Sequence, residues 1–197
     1  MNKKTNIVLA IMLMVIGACA RMIPHMPNFS PTESIAIFGA VYLGRNVLPY
    51  IVPILTMYFT DLLINNTIAR PFFPNHDGIV LWSNYMLFNI IAIIFIVYTA
   101  QKILKQVNVR NVILSALLAS IIFFLITNLG ALWSPTPLYT KDLPGLLTSY
   151  AAGLPFFKTT LLSNLLFTGV IFGSMYLLTT LVKSKMQSAK SMVSSKY

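Results

Sequence analysis

The chain has 197 residues, 57% hydrophobic and only 9% charged, with 14 Lys plus Arg against 4 Asp plus Glu and a net charge of +10. Soluble domains carry about 25% charged residues, so at a mean hydropathy of +0.78 a soluble globular domain is excluded. Disorder is excluded by the same hydrophobicity, and a disulfide scaffold by the presence of a single cysteine.

A polytopic helical membrane protein remains. A spanning helix needs about 20 mostly apolar residues, and the chain offers six candidates: residues 6–22, 33–44, 47–64, 79–100, 112–130 and 156–182. The runs are continuous, not alternating, which points to an all-α bundle and away from a β-barrel. Residues 1–182 then form one transmembrane domain and 183–197 a basic, solvated tail near anionic headgroups. The second segment is short for a span and reads as either a true crossing or a half-helix; the charge distribution favours a crossing. The first carries Ile16-Gly17-Ala18-Cys19, shaped like a lipoprotein cleavage box. An uncleaved span is favoured, because cleavage would leave an odd number of spans.

Six spans with both termini on one side place 10 of the 14 basic residues on that side. The positive-inside rule makes it cytoplasmic, so the expected location is the inner membrane of a bacterial cell. All four acids, Glu33, Asp61, Asp77 and Asp142, fall at the outer ends of spans.

Polar chemistry collects at those outer ends, where it points to function because lipid tolerates it poorly. After the first span, Pro24, Pro27 and Pro31 forbid a helix. Arg21, His25 and Asn28 supply polar groups there, and Met26 and Phe29 apolar contact. Asp61 interrupts an apolar stretch and needs a partner, for which Arg21 and Arg70 are candidates. Thr127 and Asn128 fall just inside the outer interface, where an amide requires a hydrogen bond. Trp133 suits either an interface anchor or a ligand wall. The long outer loop beyond it contains Tyr139, Lys141, Asp142 and Tyr150. A short interfacial helix is expected at 146–154, with Pro155 opening the sixth span and Phe156 at the mouth. Ala36, Ala40 and Gly44, and Gly169 with Gly173, are small-residue rows suited to close helix contact, within the chain or with a partner subunit.

The sequence has no P-loop, HExxH, GxSxG or metal-spaced His/Cys/Asp set. No cofactor, metal, catalytic residue or nucleic-acid partner is therefore expected. The pattern fits a capturing component for a small molecule. An intramembrane enzyme acting on a lipid or quinone, pairing Asp61 with His25, is the alternative; a structural subunit of a membrane complex is a third.

Arg21-Met-Ile-Pro-His-Met-Pro-Asn-Phe-Ser-Pro31 followed by Ala36-Ile-Phe-Gly39 resembles the N-terminal signature of a family of small transport-type membrane proteins, domain of unknown function 6580. Phe123-Phe-Leu-Ile-Thr-Asn128, Trp133, Tyr139, Gly145-Leu146, Tyr150 and Pro155-Phe-Phe157 resemble its C-terminal signature. That family is similar to the substrate-binding S components of energy-coupling factor vitamin transporters. The resemblance implies a six-span fold, capture of a vitamin-like molecule or cofactor precursor from outside, and a coupling subunit with ATPases as partner. A related B12-uptake architecture uses an outer-side cysteine as a cobalt ligand; here the expected loop cysteine is missing, and cobalamin is disfavoured. The expected substrate-binding set is Arg21, His25, Asn28, Phe29, Asp61, Asn128, Trp133, Tyr139, Tyr150 and Phe156. Replacing Arg21 or Asn128 with alanine is expected to weaken binding without harming folding.

Overall fold

The structure, a computed structural model, describes residues 3–23, 26–74, 76–133 and 138–194. It contains six α-helices: α1 (Lys3–Arg21), α2 (Thr32–Tyr42), α3 (Leu48–Asn66), α4 (Asn84–Ile103), α5 (Val109–Gly130) and α6 (Leu143–Ser194). Among the described residues there is no strand. Five of these helices are long and apolar enough to cross a membrane; α2 is not one of them.

That corrects the second span. With 11 residues, α2 rises only about 16 Å at 1.5 Å per residue, half of a hydrocarbon core. Its residues from Thr32 to Ala40 are all buried, and it touches each of the other five helices. A helix buried on all sides is a core helix, and α2 is the axle of the bundle. Among the described residues, 22–23 and 26–31 before α2 are not helical, and Pro27 and Pro31 have no backbone donor to give a helix.

The packing partners fix direction. Gly17 lies against Ile35, and Gly39 against Met14 and Pro53, so α2 runs antiparallel to α1 and α3. Ser34 meets Asn164 and Thr168, and Phe38 meets Phe172, so α2 runs parallel to α6. Tyr50 reaches Gln101, Gly130 lies against Phe88, and Asn164 reaches Ser120, making α3/α4, α4/α5 and α5/α6 antiparallel. The start of α1 and the end of α6 therefore share one face. That face also gathers Lys4, Arg45, Lys102, Lys105, Arg110, Lys183 and Lys185, whereas Arg21, Arg70, Lys141 and Lys158 lie towards the other.

Three boundaries differ from expectation. α4 begins at Asn84, not near 79. The interfacial helix, the sixth span and much of the tail are one 52-residue helix, so Pro155 sits inside α6 instead of opening it. It leaves the Ala151 carbonyl without its helical donor, a loss a tightly packed neighbour helix can hold in place. α6 starts at an N-cap: Asp142 Oδ1 accepts from the Gly145 N–H at 2.9 Å and from the Thr140 hydroxyl. These donors hold the exposed Asp142 carboxyl below the usual carboxylate range. Gly145 is required there, since a Cβ would lie 1.9 Å from the Thr140 carbonyl oxygen.

Ala36 and Ala40 pack inside the bundle. Gly169 and Gly173 face open space instead, on an α6 surface that also exposes Leu162, Leu166, Val170 and Leu177.

Candidate functional site

The two halves of the bundle are filled differently. On the half nearer the chain termini, α2 carries Phe38 edge-on to Phe172 with Tyr42 beside both. Met14, Ile96, Val97, Ala100 and Met175 close the space around them. On the opposite half the helices enclose a cavity of about 460 Å³ to which all six contribute.

Next to the lining residues Glu33 and Thr160 along α2 and α6 comes a buried polar layer. Ser34 donates to the Asn164 carbonyl at 3.3 Å, Thr168 Oγ1 donates to Ser34 Oγ at 2.9 Å, and Asn164 Nδ2 donates to Ser120 Oγ at 2.9 Å. Ser163 Oγ donates to the Ser30 carbonyl at 2.7 Å and accepts from the Ser30 N–H. Asn164 is fully buried, and its amide is satisfied as a buried polar group must be. This layer ties α6 to α2, to α5 and to the loop after α1.

One wall is an ion pair. Arg21, at the end of α1, donates to Asp61 and Thr60 of α3 and to the Met57 carbonyl at 3.3 Å. Thr60 itself accepts this bond while donating to the α3 backbone. Of the two cations the sequence offered to Asp61, Arg21 takes the role. Arg70 instead closes its own loop, donating to the Gly78 and His76 carbonyls at 2.8 and 2.6 Å.

The α5 and α6 lining is aromatic and amide. Phe123, Phe124, Thr127 and Asn128 come from α5, and Gly153, Phe156, Phe157 and Thr160 from α6. Asn128 is locked, with Nδ2 donating to the Phe124 carbonyl at 2.8 Å and its own carbonyl accepting from Ser149 at 2.8 Å. A Cβ at Gly153 would lie 2.3 Å from Asn128 Oδ1, so glycine makes room for the amide. Asn28, with φ 61°, turns the loop over the cavity in the left-handed region that asparagine tolerates.

Of the expected residues, Arg21, Asn28, Asn128 and Phe156 line this cavity. Asp61 stands behind Arg21 as its counter-ion. The structure does not bring Phe29, Trp133, Tyr139 or Tyr150 to the lining. Phe29 packs on Phe167, and Trp133 stacks on Phe88 while its carbonyl accepts from Asn84. Tyr150 donates to the Leu125 carbonyl at 3.0 Å and packs on Phe124, supporting the aromatic wall from outside. Tyr139 is half-buried in the loop before α6. His25 lies outside the described residues.

The structure adds Glu33, Tyr85, Asn89, Phe124, Phe157 and Thr160 to the lining. Two of these had a signal. Glu33 heads an apolar run with no adjacent base, and Asn89 falls well inside one; either is costly in lipid and belongs in a bundle interior. Among the described residues no three His, Cys, Asp or Glu side chains gather in a way that would hold a metal ion.

No curated protein and no solved structure matches the chain. Residues 1–189 match the model of DUF6580, a family of unknown function, and the chain belongs to that family.

Proposed function

We propose that this protein is a substrate-binding component of a membrane transport system, capturing a small molecule in the cavity between its helices. The observation that carries this reading is the cavity itself. Its 460 Å³ falls in the range of small-molecule sites, about 300–1,000 Å³, and its lining mixes apolar walls with a few fixed polar groups, as such sites do. Arg21 and Asn128 are held by partners and present preorganised groups, which lowers the cost of binding.

In this reading the basic face is cytoplasmic, the cavity opens towards the outside, and Asn28 and Ser30 before α2 border the ligand. Reorientation is driven by a membrane coupling subunit with ATPases, as the resemblance to S components implies. The vitamin-like or cofactor-precursor class of substrate also comes from that resemblance.

The test is mass spectrometry of small molecules that co-purify with the protein in mild detergent. One near-stoichiometric compound in the wild type, lost in Asn128→Ala at unchanged folded yield, is the expected result. Its absence from the wild type, or its persistence at full occupancy in Asn128→Ala and Phe156→Ala alike, contradicts the reading.

A further inference from the structure

Among the described residues, the cavity lining holds one acid, and it makes no salt bridge. That acid, Glu33, is only 3% exposed. Burial is the largest influence on its carboxyl and disfavours the charged form, while its own backbone N–H and the end of the helix dipole at the first turn of α2 act the other way. Those account for its being tolerated, not for its full bonding capacity, since a carboxylate accepts at about four lone-pair sites. Arg21 is near enough to act on its charge, but that guanidinium is committed to Asp61, Thr60 and the Met57 carbonyl.

The charge count is then simple. Arg21 and Asp61 cancel. Among the described residues lining the cavity, Glu33 is the only acid and Arg21 the only base. The same cavity is lined by the rings of Phe123, Phe156 and Phe157.

We propose that Glu33 is the specificity-determining residue of this cavity, selecting a ligand that carries a basic nitrogen, an amine or amidine, on a flat apolar group. This rests on the cavity being a ligand site. A nitrogen cation completes the bonding of Glu33 with a charge-assisted hydrogen bond, while its ring fills the aromatic end. A carboxylate ligand instead brings a second acid against a group whose charge burial already disfavours.

The probes are benzamidine, benzamide and benzoate, which share a ring and differ in the polar group. Binding is measured by ligand-observed NMR on the purified full-length protein in detergent, freed of any co-purified molecule. The wild type should prefer benzamidine over benzamide by about tenfold, the size expected for a hydrogen bond to a charged group, and bind benzoate weakest. Glu33→Gln should bring benzamidine and benzamide to the same affinity, while Glu33→Asp retains the order. Equal affinity for benzamidine and benzamide in the wild type, a preference for benzoate, or a benzamidine preference that survives Glu33→Gln overturns the assignment to Glu33 and leaves the cavity as a ligand site. Binding of none of the three to the wild type overturns both.

Discussion

The half of the bundle near the chain termini and the half around the cavity are built from the same helices and filled in opposite ways. In the first, Phe38, Phe172 and Met14 interdigitate around α2. In the second, α2 has ended and the space it vacates is bordered by Arg21, Glu33, Asn128 and the α5–α6 aromatics. The shortness of α2 makes this difference. A helix of full length there would carry dry packing through both halves, whereas Asn28 and Ser30 of the chain before it border the cavity instead. Packing between membrane helices gains little from hydrophobicity, because lipid is equally apolar. Stability in the dry half therefore rests on shape, and in the wet half on satisfied polar pairs.

The largest expected effect breaks the wet half. Arg21→Ala strands a buried carboxylate, a loss of about 3–5 kcal/mol for breaking a buried pair. It should lower folded yield as well as binding, which revises the expectation from sequence that folding would be untouched. Arg21→Ala with Asp61→Ala should recover most of the loss, read as thermal unfolding in detergent. A double variant no more stable than the single one contradicts a pair acting as a unit.

Phe38→Ala breaks the dry half. It leaves a void among Met14, Tyr42 and Phe172, at a cost of about 3 kcal/mol. Ligand occupancy should be unchanged where the variant is folded, because the void and the cavity are separated by the Ser34–Asn164 layer.

Gly153→Ala sharpens the comparison at the cavity wall. The added Cβ overlaps the Asn128 amide, so about 1–3 kcal/mol of overpacking should come with a displaced Asn128 and weaker binding. The smallest effect is Asn164→Ala in the layer between the halves. Interhelical hydrogen bonds in membranes average about 0.6 kcal/mol, so a loss of about 1 kcal/mol is expected, with a shift in Tm of a few degrees and no loss of fold.

What the sequence discloses follows the same division. Five long helices are legible because lipid demands long apolar runs, and Asp61 announces its need for a cation because an acid in an apolar run has few alternatives. The length of α2 is not legible: Ser34 to Leu43 is equally apolar as a half-helix or as part of a crossing, and only its burial against five neighbours separates the two. The break before α6 is misread for a related reason. Pro155 suits a first turn or a packed interior, and tertiary contact with α5 decides. Within the site, residues adjacent in sequence to Arg21 and Asn128 are easy to nominate. Trp133 and Tyr150 are near in sequence yet face Phe88 and Phe124 instead, because side-chain direction around a helix is set by packing.

The most direct test of the cavity as the binding site is an experimental density map of the wild-type protein with its co-purified molecule retained. Non-protein density is predicted between Glu33, Asn128 and Phe156, beneath the loop carrying Asn28. An empty cavity, with the co-purified molecule found against the lipid-facing surface, would contradict the account.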